Sequence, residues 1–308
     1  MKIEVAKSKS RWFTASGIGL GIGLVAMVIS LLTLGSPLRL GLDFTGGTLL
    51  QLQFPKAIPD IAKVRAEVAE AGYPNSVVQQ IGNDTIAVRT RPLSQEERSK
   101  LQDALKVDLG NFQLERIESV GPTLGQELLF NGLLSLALAL AAILVYLAFR
   151  FQLDYALCAA VAMFHNVIAT MGVFAILGLL LGIEVDTLFV VAILTIVGFS
   201  VQDTVVVFDR VRENLKFLSR KKPFPDIVND SVNQTWVRSV NNNIAALLVL
   251  LPLSIFGGES IRYFALALII GFVVGTYSSI FIAAALLVWW RERQAVGATG
   301  AGAAKAER

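Results

Sequence analysis

Six apolar runs of membrane-spanning length decide what this chain can fold into. A hydrocarbon core about 30 Å thick takes about 20 helical residues to cross. The runs cover residues 14–34, 128–149, 155–177, 187–208, 237–256 and 263–290. In lipid the backbone polar groups must be satisfied within the segment, so such runs form helices. The expected fold is therefore an α-helical polytopic membrane protein with six transmembrane helices. Composition agrees: 17% of the 308 residues are charged, against about 25% in soluble proteins.

Orientation follows from the basic residues. Lys2, Lys7, Lys9 and Arg11 precede the first run, and Arg150 follows the second. Arg210, Arg212, Lys216, Arg220, Lys221 and Lys222 lie between the fourth and fifth, while Arg291 and Arg293 follow the sixth. The turns at 178–186 and 257–262 hold a single basic residue, Arg262. The positive-inside rule then places both termini in the cytoplasm. A net charge of +3, gathered at span ends, gives no reason to expect nucleic acid as a partner. The basic start also has the layout of a signal peptide, but its apolar run is span-length and no A-x-A-like site follows. Cys158, the single cysteine, allows no internal disulfide.

The expected organisation is a cytoplasmic N-terminus (1–13), a first span (14–36), an extracytoplasmic domain (37–126) and five further spans (127–290). A cytoplasmic loop is expected at about 209–236, and residues 291–308 form a tail whose small, polar end (297–308) reads as disordered. The domain's pattern is β-α-β-β-α-β. Residues 47–54 partly alternate as a strand, and residues 60–71 carry Ile61, Val64, Val68 and Ala71 at helical spacing. Strands at 77–81 and 85–89 flank the hairpin signal Gly82-Asn83-Asp84. Ser94 and Glu97 make a capping box that opens a second helix, and residues 112–120 form the last strand. That order is a small ferredoxin-like α+β fold. It contains no catalytic constellation, and no cofactor or metal is expected.

Asp203 sits inside the fourth span, where a carboxylate costs about 2.5–3.5 kcal/mol to insert. Two readings are open: a structural group hydrogen-bonded near the span's end, or a buried carboxyl that loads and releases protons. The fifth span's clean apolar core, 244–256, is only 13 residues long. Its helix must extend back through VRSVNNN, which carries Arg238 and Asn241 to membrane depth. Arg238 is either ordinary cytoplasmic-side charge or a partner that snorkels to Asp203. His165, the single histidine, lies mid-span beside Asn166 and is either a packing residue or a relay station. Asn166, Gln202 and Asn241 are candidates for relay support. Gly19-x-x-x-Gly23 and Gly271-x-x-x-Gly275 suit close helix packing. Residues 209–214 read as a solvated amphipathic helix or a docking surface. Gly41, Asp43, Phe44, Gly46 and Gly47 lie in a tight turn after the first span, with an Asx-type bond expected from Asp43.

Three stretches carry a family resemblance: GLDFTGGT after the first span, FSVQDTVVVFDRVREN across the end of the fourth, and NDSVNQTWVRS leading into the fifth. They resemble the SecF family of the bacterial Sec protein-export machinery, within the resistance-nodulation-division superfamily. The resemblance covers nearly the whole chain. It implies a multi-pass protein of the bacterial inner (plasma) membrane, or of an internal energy-transducing membrane. It implies SecD as the partner supplying six further spans, with the Sec translocon channel complex, exported preproteins and membrane lipids as contacts. The implied function is use of the proton-motive force to assist late steps of export, without covalent catalysis. Asp203 matches the family's proton-relay carboxylate, and Arg238 matches its arginine at the start of span five. One departure stands out: the family commonly has His-Asp in span three, where this chain has His165-Asn166. The alternatives are a stand-alone small-molecule or lipid exporter of the same superfamily, and a passive scaffold of the translocon.

Overall fold

The computed structural model describes residues 4–55, 58–81 and 84–294, with residue 259 described in its backbone only. The turn residues Gly82 and Asn83 and the tail at 297–308 lie outside the described residues. The chain forms two compact units, one spanning Leu40–Leu133 and one made of the residues before and after it.

The first helix, α1 (Lys9–Leu34), ends at Gly35, whose φ of 78° lets its N–H reach back to Leu31 O. The smaller unit follows. Where a simple tight turn was expected, residues 42–45 wind into a one-turn helix, α2 (Leu42–Thr45). Thr45 Oγ1 donates to Gly41 O at 3.0 Å and Gly46 N to Leu42 O at 2.9 Å, closing that turn. Next come β1 (Gly47–Gln53), α3 (Ile61–Glu70), β2 (Val77–Ile81), β3 (Thr85–Thr90), α4 (Gln95–Leu109) and β4 (Gln113–Val120). The four strands form one antiparallel sheet in the order β2-β3-β1-β4, the ferredoxin-like arrangement.

Its core follows from two periodicities. Alternation puts Leu50 and Leu52 on one face of β1, opposite Val88 and Ile86 of β3. Helical spacing puts Val64 and Val68 on one stripe of α3, and Leu101 and Leu105 on one stripe of α4. All eight are at most 1% exposed and belong to one cluster. Both helices start on side-chain caps. Asp60 accepts from Ala62 N at 3.0 Å, and Ser94 with Glu97 forms the expected capping box.

The remaining helices are α5 (Pro122–Arg150), α6 (Leu153–Leu181), α7 (Thr187–Leu218), α8 (Phe224–Phe256) and α9 (Glu259–Tyr277). After α9 a π-helical turn at Ser278–Ala283 leads into helix that continues to residue 294. Among the described residues, six helices are long and apolar enough to cross a membrane. The chain is thus a helical polytopic membrane protein with a small α+β domain between its first and second spans. The stretch expected as a connecting loop at about 209–236 is mostly helix: residues 209–214 are helical, as their pattern indicates, because α7 runs on to Leu218, and α8 already begins at Phe224. Apolar length marks where a helix meets lipid and is silent on how far the helix continues past it.

Glycines set the closest helix contacts. Gly271 of α9 lies against Ile196 of α7, where an added Cβ would come 2.2 Å from the isoleucine side chain. One turn on, Gly275 leaves ordinary contact room beside Ser200 and Asn166. The expected Gly271-x-x-x-Gly275 seam therefore seats α9 on α7. In α1 only the second glycine of the expected pair is used: Gly23 meets Gly172 of α6, while Gly19 has nothing within 4 Å.

Candidate functional site

Helix phase decides which polar residues of α7 and α8 turn inward. On α7 the buried positions Ile196, Ser200, Asp203, Thr204 and Val207 recur at three and four residues. Asp203 is on this stripe and only 4% exposed, whereas Gln202, rotated about 100° away, is exposed. On α8 the buried stripe is Ser231, Thr235, Ser239 and Asn243, at strict four-residue spacing. Arg238 and Asn241 point off it and are exposed.

Ser239 therefore meets Asp203. Its hydroxyl donates to Asp203 Oδ1 at 3.1 Å. Asn243, one turn along, donates to Ser239 O at 3.0 Å and also to Thr276 Oγ1 of α9. Thr276 Oγ1 in turn donates to Phe272 O at 3.0 Å. The anticipated contact between Arg238 and Asp203 is not formed. Arg238 acts on the carboxyl through space, without a hydrogen bond or close ion pair among the described residues. The reason is geometric. Neighbouring positions on a helix differ by about 100°, so a helix that aims Ser239 at α7 aims Arg238 elsewhere.

A second polar branch gathers around His165. Its Nδ1 faces Asn166 Oδ1 at 3.2 Å, and its Nε2 faces Ser16 Oγ of α1 at 3.0 Å. An amide oxygen only accepts, so Nδ1 carries a hydrogen and Nε2 is the position free to gain or lose one. Ser16 Oγ also reaches Tyr277 Oη at 3.3 Å, and Tyr277 Oη donates to Trp12 O at 3.3 Å. The Trp12 ring, tilted on Phe281 at 4.1 Å, holds this end in place. On the other side Asn166 Nδ2 donates to Ser200 Oγ of α7. The π-helical turn brings Ser279 to the same spot, where its Oγ donates to Ser200 O at 3.3 Å and pairs with Thr204 Oγ1 at 2.9 Å. Such turns favour functional positions because they redirect side chains within a helix. The His165 branch thus ends on α7 one turn from Asp203.

Of the residues singled out from sequence, Asp203, His165 and Asn166 lie in these buried branches. Gln202 and Asn241 lie on exposed faces and join neither. Gly41, Asp43, Phe44, Gly46 and Gly47 belong to the smaller unit and hold its first turn. Ser16, Ser200, Ser239, Asn243, Thr276 and Tyr277 were not anticipated. The four-residue polar stripe of α8 was a readable signal for two of them. Among the described residues no cluster of histidine, cysteine and acidic side chains is arranged to hold a metal ion.

Comparison with known proteins follows the same lines. Residues 100–293 match the family described as "Protein export membrane protein SecD/SecF, C-terminal", and residues 32–57 match its GG motif. A protein translocase subunit SecF from Synechocystis sp. is 46% identical over 303 residues, covering 95% of each chain. Its counterpart from Thermobaculum terrenum is 45% identical over 83% of this chain and 86% of its own. Among solved structures, SecDF of Thermus thermophilus, described as a translocon-associated membrane protein, superposes with a TM-score of 0.82 at 33% identity. The match covers 95% of this chain and 39% of that one. SecDF in a super-membrane-facing form gives a TM-score of 0.68 at 32% identity, over 97% of this chain and 40% of that one.

Proposed function

The chain belongs to the SecD/SecF family of protein-export membrane proteins, and from that premise we propose that it is the SecF-type half of a proton-driven export machine. A SecD-type partner completes it, a reading supported by this chain's covering only 39% of the SecDF relative. The work is transport: the machine assists late movement of preproteins through the Sec channel, with no covalent chemistry. The membrane is the bacterial inner membrane. Both termini face the cytoplasm and the domain at 37–126 stands outside.

The observation that carries this reading is the buried carboxyl of Asp203, held by Ser239 across the α7–α8 contact. Ionised, it attracts the exposed Arg238 weakly through space, without a direct bond. Protonated, it loses that attraction and changes what it can bond. One proton thus biases two arrangements of the helices, which is what a two-state coupling needs. His165 and Asn166 form the second station, ending at Ser200. Asn166 takes part by hydrogen bonding alone, since an amide does not titrate in this range.

The test is preprotein translocation into inverted membrane vesicles with and without a proton gradient. Asp203→Asn keeps shape and removes titration, so assembly with the partner should persist and the gradient's stimulation should vanish. Full stimulation in that variant sinks the reading. Cysteine labelling of intact cells tests the orientation: positions in the domain should react from outside, and positions in 219–223 should not.

A further inference from the structure

The hydrogens around His165 can be counted. Tyr277 Oη gives its only hydrogen to Trp12 O at 3.3 Å, so toward Ser16 it can only accept. The 3.3 Å contact between Ser16 Oγ and Tyr277 Oη therefore uses the serine's only hydrogen. Ser16 then faces His165 Nε2 at 3.0 Å with lone pairs alone, and that contact is a hydrogen bond only when Nε2 carries a hydrogen. Nδ1 already carries one, given to Asn166 Oδ1 at 3.2 Å. These contacts are thus all satisfied together when His165 holds a hydrogen on both nitrogens. The hydrogens then run one way, from Nε2 to Ser16, from Ser16 to Tyr277 and from Tyr277 to the Trp12 carbonyl. Packing keeps the far end in line: the Tyr277 ring meets Trp12 edge-on at 6.1 Å and Phe281 at 5.5 Å.

A neutral His165 leaves Nε2 bare, and Ser16 has to turn its hydrogen back to the ring, away from Tyr277. We propose that Ser16 and Tyr277 are positioning residues for proton loading at His165: they give the Nε2–H of the imidazolium an acceptor and pass the bond on to the Trp12 carbonyl. A buried cation is costly unless its N–H groups are bonded, and this chain together with Asn166 supplies both acceptors. Loading also closes a hydrogen bond between α1 and α9, because the Ser16 hydrogen reaches Tyr277 only in that state. The device rests on the reading of His165 as the second station. The ionisable groups on the helices around it are engaged or distant. α7 brings Asp203, held by Ser239, and further along Asp209, paired with Arg150 of α5. α1 brings Lys9 and Arg11 at its start, where Lys9 is paired with Glu292 and Arg11 is exposed. On α6 itself Asp154 is paired with Arg291. α9 brings Tyr277, already in the chain, with Arg262 at its opposite end.

His165 is the single histidine, so nitrogen NMR of the chain labelled at histidine, without a histidine tag and reconstituted with its unlabelled SecD-type partner, reads this ring alone. The neutral ring should carry its hydrogen on Nδ1, and acid should add the second on Nε2. Ser16→Ala leaves that second hydrogen without its acceptor, so charging the ring should need about tenfold more protons, the size of one hydrogen bond. Ser16→Thr keeps a hydroxyl and should restore the parent's titration. Tyr277→Phe keeps the ring against Trp12 and removes only the last link, so it should shift the titration the same way by a smaller factor. Thr14→Ala, on the exposed face of α1, should change nothing. A neutral ring protonated on Nε2, which completes the chain without a second proton, overturns the proposal. So does a Ser16→Ala titration that matches the parent's. The reading beneath is tested separately: His165→Gln should weaken gradient-driven translocation into inverted vesicles. Full stimulation in that variant removes the second station, and this inference falls with it.

Discussion

Gly172 of α6 and Gly23 of α1 meet backbone to backbone: a Cβ added to Gly172 would lie 2.7 Å from the Cα of Gly23, and one added to Gly23 would lie 3.0 Å from the Cα of Gly172. Lipid is as apolar as leucine, so membrane helices are held by close van der Waals contact rather than by a hydrophobic drive. The contact matters beyond stability, because α1 also carries Ser16 to His165.

Gly172→Val should force α1 and α6 apart, at a cost of about 1–3 kcal/mol or more. Thermal unfolding in mild detergent should show a lowered midpoint. Gly19→Val, on a face with nothing within 4 Å, is the matched control and should unfold like the parent. Equal midpoints for the two variants would remove the contact's claimed role.

Arg238→Met should leave stability unchanged, since Arg238 is exposed and makes no close ion pair with Asp203. Gradient-dependent export should nonetheless fall if the arginine acts on the relay. Ser239→Ala should show the opposite balance. It removes the hydroxyl that donates to a buried carboxyl, at about 1.5–3 kcal/mol for a bond to a charged group. Parallel unfolding and translocation assays separate the two effects.

Gly47→Ala should destabilise the small domain. The residue holds φ 125°, and an added Cβ would lie 2.6 Å from Thr90 O, so the substitution combines strain with a clash in the β1–β3 pairing. The expected loss is about 1–3 kcal/mol or more. Gly121→Ala, with open space around it, should cost far less. Urea unfolding of the domain, expressed as residues 40–133, measures both.

Glu97 makes the same domain sensitive to acid. The backbone N–H of Ser94, at 2.8 Å, and then the Arg91 guanidinium, at 2.6 Å, hold its carboxyl down from 4.5 to about 2. A depressed carboxyl stabilises the fold fully above its unfolded value. That contribution fades as pH falls from about 4.5 toward about 2. Glu97→Gln should narrow the stability difference between about pH 7 and about pH 3. An unchanged difference would show that the capping box does not report on pH.

Much of this architecture was legible because local rules produce it. Apolar run length counts the spans, since each must satisfy its own backbone in lipid. Ser94 and Glu97 announce α4 at a spacing that only a helix start uses. Leu50 and Leu52, with Val64 and Val68, declare their strand and helix by period alone. Asp203 was legible as well, because a carboxylate within an apolar run costs too much to be incidental.

The sequence by itself therefore determined the six spans, the ferredoxin-like insert and the position of the buried carboxyl along α7. Tertiary structure alone decided what that carboxyl touches. In α8 both Arg238 and Ser239 lie within reach of α7 by their place in the chain, and only the helix's rotation selects the serine. For α8 that rotation comes with a contact between segments far apart in sequence, Asn243 with Thr276 of α9, and the same kind of distant contact seats the other helices, Gly271 against Ile196 and Gly23 against Gly172. In a membrane, lipid-facing and helix-facing positions are both apolar, so hydrophobic periodicity does not mark the inward face. The packing that orients each helix is written across the chain rather than within any one stretch of it.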